Sequence, residues 1–134
     1  MAAKFFKQAD ANHEVIVLGS AARTVTLNSP DQENPACRGV RLYLDVTAAS
    51  GTTPTLDVKV QTKDPASGTY ADLPGAVFTQ KTAVSFDDLT IYPGIAETAN
   101  ETVSDALSAT WRLVATIGGG TPSFTFSVGA AYIR

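Results

Sequence analysis

The chain has 134 residues, 44% hydrophobic and 17% charged, with ten Lys and Arg against thirteen Asp and Glu. That composition excludes disorder for the body of the chain and suits one packed domain. A formal charge of −3 argues against a phosphate-gripping surface, so no nucleic-acid partner is expected. No stretch approaches the roughly 18 consecutive apolar residues of a membrane span, so none is expected to meet a bilayer.

Residues 1–12 read as an arm. Phe5 and Phe6 stand between Lys4 and Lys7; the arm reads either as a frayed terminus or, because two adjacent phenylalanines in a free tail would expose apolar area, as a segment that docks on a neighbouring chain. Residues 13–134 read as a single domain. Short strands are expected over about 13–18 and 22–28, followed by an exposed, proline-bearing loop at 28–36. From Val40 to Val46 the even positions are apolar and Arg41, Tyr43 and Asp45 sit between them, a period of two that puts the first set inward and the second outward. Leu56, Val58 and Val60 repeat the pattern, as do Trp111, Leu113, Ala115 and Ile117, and again Phe124, Phe126 and Val128.

The Gly- and Pro-bearing segments 48–54 and 118–122 separate these runs and predict two antiparallel hairpins. Asp64-Pro65-Ala66-Ser67-Gly68 predicts a further turn. Strands are expected near 76–81 and 83–91. Residues 93–108 form a long connection, either with one helical turn near Val103–Leu107 or as a structured crossover. No internal repeat stands out. The fold class is all-β: a two-sheet antiparallel β-sandwich, of jelly-roll or immunoglobulin-like type, with a short N-terminal arm.

Candidate chemistry is sparse. His13, the only histidine, would have to serve any Ser-His-Asp triad, and it reads as a surface or edge residue. One cysteine and one histidine far apart do not make a zinc set. Asp64, Asp87-Asp88 and Asp105 with Glu101 are oxygen ligands without calcium-loop spacing, and Asp87-Asp88 reads as a solvated bend. No catalytic, cofactor or metal site is expected. Gly118-Gly119-Gly120 leads into a strand rather than a helix, so it reads as a turn and not a phosphate cradle. Asn100-Glu101-Thr102 has the form of a glycosylation sequon. Cys37 reads as a small buried apolar residue, and Trp111 as core. The residues left for contact with a partner are Phe5, Phe6, Arg41, Tyr43 and Arg112, the two arginines either pairing with Asp45 or Asp57 across strands or meeting a partner surface.

Several segments together resemble small tailed-bacteriophage virion proteins. They are Arg38-Gly39-Val40-Arg41-Leu42-Tyr43-Leu44-Asp45-Val46-Thr47, the Ala-Ser-Gly-Thr turn at 49–52, Pro54-Thr55-Leu56-Asp57-Val58, Asp64-Pro65-Ala66-Ser67-Gly68-Thr69-Tyr70, Tyr92-Pro93-Gly94 and Trp111-Arg112-Leu113-Val114. The resemblance spans about residues 38–134 and consists of turn and strand signatures. It implies a non-enzymatic capsid decoration (head auxiliary or cement) protein on the virion surface, assembled in the bacterial cytoplasm. Its partner would be the major capsid protein, and a homotrimer is favoured. Two alternatives stand beside it: another virion role (tail tube, connector or fibre-associated domain), and a carbohydrate-binding module using Tyr43 or Tyr92.

Overall fold

The computed structural model describes residues 12–134, and every regular element among them is a β-strand. In chain order these are β1 (Asn12–Arg23), β2 (Leu27–Asn28), β3 (Gln32–Glu33), β4 (Gly39–Lys63), β5 (Tyr70–Val77), β6 (Ser85–Ile91), β7 (Thr102–Val103) and β8 (Thr110–Ile133). β4 and β8 are 25 and 24 residues long. They pair antiparallel along almost their whole length, from Gly39↔Ile133 to Thr62↔Trp111.

This ribbon corrects the two expected hairpins. The chain does not pair with itself as a hairpin across 48–54 or across 118–122. It runs through both segments, which pair with each other through Ser50↔Ser123, Thr52↔Gly120 and Thr55↔Gly118, with register shifts between. The ribbon is nevertheless doubled over. Trp111 and Tyr132 lie twenty-one residues apart in one strand, a separation of about 70 Å if it were straight. Their ring centroids are 6.2 Å apart.

The bend is encoded twice, as Gly51-Thr52-Thr53-Pro54 and as Gly119-Gly120-Thr121-Pro122, a four-residue Gly-x-Thr-Pro repeat that the sequence reading passes over. Gly51 and Gly119 have φ of 120° and 111°, and Thr53 and Thr121 have φ of 45° and 48°. Positive φ is costly for β-branched threonine and cheap for glycine. The two bends also interlock. A Cβ on Gly51 would lie 2.9 Å from the Gly120 carbonyl oxygen, and one on Gly119 would lie 2.7 Å from the Thr53 carbonyl oxygen. Glycine and proline report a change of chain direction; whether the chain turns back on itself or bends together with a partner is decided by pairing.

The doubled ribbon makes two leaves. The first has the order β1, C-terminal half of β8, N-terminal half of β4, β6, β7, with β7 parallel to β6. The second places the N-terminal half of β8 between β2 and β3 on one side and the C-terminal half of β4 on the other, with β5 beyond it. The all-β class therefore stands. The two-sheet form of the sandwich is not confirmed, since all eight strands belong to one hydrogen-bonded sheet. Thirteen of the fourteen residues of the four alternating runs from Val40 to Val128 that face inward by parity, from both leaves, are buried in one core with Val17, Phe78, Leu89, Ile91 and Tyr132, and Ile117 packs against it partly buried.

The connections fit around this frame. Asp64 closes the β4–β5 turn by accepting from the Ala66 amide and the Ser67 hydroxyl, both at 2.9 Å. In 93–108 no helical turn forms. This segment is the crossover, pinned by β7 and by the Leu107 amide donating to the Arg38 carbonyl at 2.9 Å, with Val103 and Leu107 buried. The expected strand over 22–28 is split between the end of β1 and β2, and the one over 76–81 ends at Val77. Past it, Lys81 makes an isolated bridge to Leu56. Asp87 and Asp88 are not a solvated bend; both lie in β6 and point to opposite sides. Asp87 forms an ion pair with the buried Lys81, which joins the edge of one leaf to the other. Burial pushes the Lys81 ammonium below its ordinary range.

Gly119→Ala is expected to cost about 2–4 kcal/mol of stability, because the new Cβ meets backbone at positive φ. Gly19→Ala, with nothing within 4 Å of its Cβ position, should stay within about 0.5 kcal/mol; denaturant unfolding of both checks the bend. Asp87→Ala should destabilise more than Lys81→Met, by about 1–2 kcal/mol, because only the first leaves a buried charge unpaired. Equal losses in the same assay would show that the pair is not what closes this edge.

Candidate functional site

The inward alternation of β4 leaves Arg41, Tyr43 and Asp45 on the outer side of the first leaf. Register then fixes their neighbours. Arg41 lies beside Ala131 of β8, which lies beside Glu14 of β1, and one step further Tyr43, Gly129 and Ile16 form the next row. Asp45 is opposite Phe86 of β6. The strand between the two ridges presents Gly129, Ala131 and, at its end, Ile133. A shallow groove of about 380 Å³ results, lined by Glu14, Arg41, Tyr43, Ala131 and Ile133.

The groove is lined by charged as well as apolar side chains, and large apolar side chains in the rows beside it are poorly covered. Ile16 is 78% exposed and Phe86 63%. Tyr43 stacks on Phe86 with centroids 6.2 Å apart and rings 16° from parallel, a diagonal cross-strand pair. Arg41 donates from Nε to Asp88 at 3.0 Å and forms an ion pair with it, which raises the guanidinium above its ordinary range. Its guanidinium also stands 5.5 Å from the Tyr43 ring centre. The partner of Arg41 is therefore Asp88 of the neighbouring strand, not Asp45. Among the described residues neither Glu14 nor Asp45 has an ion-pair partner.

The outer side of the second leaf is different in kind. Lys59 and Gln61 both donate to Asp72 at 2.9 Å, and Arg112 donates from Nε to Gln61 at 2.9 Å. The Arg112 guanidinium lies 3.5 Å from the centre of the Tyr70 ring, and Tyr70 and Lys63 donate to Asp31 at 2.6 and 2.8 Å. Arg112 is thus consumed by Gln61 and Tyr70 rather than by Asp45 or Asp57. Of the expected contact residues, Arg41 and Tyr43 sit together on the first leaf and Arg112 on the opposite side of the molecule. Phe5 and Phe6, with the arm, lie outside the described residues.

The remaining candidates are dispersed. His13 lies in β1, half-buried, 6.0 Å from the Tyr132 ring. Tyr132 is core and Tyr92 donates to the Arg134 carbonyl at 3.2 Å. Cys37 packs against the core, half-buried, and desolvation raises its thiol above the ordinary range. Asn100 of the sequon form donates to the Val77 carbonyl at 3.1 Å. Among the described residues no group of three or more His, Cys, Asp or Glu is gathered to hold a metal ion. An open cleft of about 810 Å³ lies between the β4–β5 turn and residues 108–110, with Glu33, Lys63 and Asp64 on its walls. Glu33 there accepts from the Thr110 hydroxyl at 3.2 Å, Lys63 is committed to Asp31, and Asp64 to its own turn.

No protein-family model matches the chain, and no curated protein matches it. The signal for Ile16 and Phe86 was in the sequence as apolar residues in strand segments, but their parity is visible only once β1 and β6 have a register. The bulge between Ile16 and Leu18 also breaks the simple alternation in β1.

Hydrogen bonds lower the carboxyl pKa of three aspartates below the ordinary 3.8: Lys63 and Tyr70 at Asp31, the Ala66 amide at Asp64, and Gln61 and Lys59 at Asp72. A depressed carboxylate stabilises the fold fully above its unfolded value, and that contribution is lost as pH falls through the folded one. The melting temperature should therefore drop as the pH is taken below about 4. In Asp31→Asn the drop should be shallower, as thermal scans across that window would read directly.

Proposed function

We propose that this chain is a non-enzymatic structural protein of a tailed-phage virion, a capsid decoration protein that works by adhesion. The observation that carries the contact part of this reading is the contrast between the two outer sides. One is closed over by paired charges, while the other, beside its single Arg41–Asp88 pair, leaves Ile16 and Phe86 in water on either side of the half-buried Tyr43. Exposed large apolar side chains grouped on one rigid face are a feature of protein-contact surfaces, and aromatic residues with arginine are enriched at such contacts. The virion setting is supported by the turn and strand signatures of residues 38–134 described above.

In this reading the doubled sheet holds the contact residues in fixed positions, so little ordering entropy is lost on docking. A standard interface removes about 800 Å² per partner, within reach of one face of a chain this size. Contacts that exist only on the assembled shell stabilise it by mass action, and several copies around a symmetry axis, with a trimer favoured, add avidity. The major capsid protein is the partner on the shell.

Mixing the purified chain with undecorated phage shells and pelleting them is the test. Co-sedimentation at a fixed stoichiometry is expected, with Phe86→Ser weakening it. A chain that stays in the supernatant overturns decoration and directs attention to tail, connector or fibre assembly.

A further inference from the structure

We propose that the groove on the outer side of the first leaf receives the Lys4-Phe5-Phe6-Lys7 segment of a second copy of this chain. This goes beyond shell binding: it rests on reading that face as a protein-contact surface and requires no shell.

The spacing of the groove selects the occupant. Its β1 ridge offers Ile16 and, two residues earlier, Glu14; its β4 ridge offers Tyr43 and, two residues earlier, Arg41. Residues two apart on a strand share a side and stand about 6.5–7 Å from one another. An extended Lys4-Phe5-Phe6-Lys7 carries Phe6 with Lys4 on one side and Phe5 with Lys7 on the other. Either side therefore brings one ring and one ammonium at the spacing at which the groove presents an apolar wall and a carboxylate. Ala131 and Ile133 line the groove beside Glu14, Arg41 and Tyr43, and in the next row Gly129 puts no side chain between Ile16 and Tyr43.

Charge agrees with this. Arg41 is neutralised by Asp88, which leaves Glu14 in the groove, and Asp45 beyond it, as carboxylates without an ion-pair partner among the described residues. The segment brings two lysines.

Chain length and direction favour a second copy over the same one. β1 starts at Asn12, opposite Ile133 at the end of the groove. Continuing outward from there, the six residues from Phe6 to Ala11 reach at most about 20 Å past the end of the sheet. To reach its own groove the segment would have to reverse and climb over the face within those six residues, which include neither glycine nor proline.

The test reads the mass of the full chain by light scattering without shells, so failure to pellet with shells and failure of this contact are separate results. The wild-type chain should self-associate. Phe5→Ser with Phe6→Ser, Ile16→Ser and Glu14→Lys should each weaken that association roughly tenfold or more. All of these face positions are exposed, and unchanged melting temperatures will show that the variants fold. Combining Glu14→Lys with Lys4→Glu and Lys7→Glu in one chain should restore association. A synthetic peptide of residues 1–11 should bind the Phe5→Ser, Phe6→Ser chain and fail to bind it once Ile16→Ser is added. A wild-type monomer at high concentration, an oligomer whose mass the arm variants leave unchanged, or a charge swap that restores nothing overturns the proposal. Peptide binding to the Phe5→Ser, Phe6→Ser chain while the wild-type chain is monomeric and takes up no peptide would show the groove filled by its own arm, and overturns it equally.

Discussion

Everything in this molecule depends on the doubling of one two-stranded ribbon. β4 and β8 together supply the centre of both leaves, so the core exists only because the ribbon bends where Gly51 and Gly119 lie against each other's strands. A bend of this kind needs backbone in close approach and at positive φ at the same place, two demands that only glycine meets without strain. The threonines that follow at positive φ add strain, which the surrounding pairing holds in place. Buried apolar area on both leaves is the favourable term that offsets it.

Because the leaves are continuous, their edges rather than their centres need separate closure. At one edge the buried Lys81 reaches Asp87 from the other leaf. At the opposite side Arg23 donates to the carbonyls of Gly19 and Phe126, both at 2.6 Å, and fixes the end of β1 against β8. Where the chain crosses from β6 to β8, Val103 and Leu107 close the core without regular structure beyond the two-residue β7. Such closure leaves the outer sides free of structural duty.

The two outer sides then diverge by composition alone. On the second leaf each long polar side chain finds a cross-strand partner, and the resulting network from Lys59 to Asp31 is well hydrated and self-satisfied, so a partner would gain little by covering it. On the first leaf the same positions of the pleat hold Ile16, Tyr43, Phe86, Gly129 and Ala131, and water is the poorer neighbour for most of them.

The strand periodicity from Val40 to Val46, 56–60, 111–115 and 124–128 determined the class and the core, since alternation is a local property that survives any connection of the strands. The Asp64–Gly68 turn was equally legible, because its own side chains make the bonds that close it. Connectivity was not. The segments 48–54 and 118–122 carry turn residues, and nothing in either one tells a hairpin from a paired bend; the answer lies in the other segment, about seventy residues away. The same holds for the site. Parity put Arg41 and Tyr43 outward, but which carboxylate holds Arg41, that Arg112 faces the opposite way, and that Ile16 and Phe86 share a face with Tyr43 are consequences of register between strands. Pairing between distant segments is a tertiary choice, and it decided both the shape of the sheet and the face it offers.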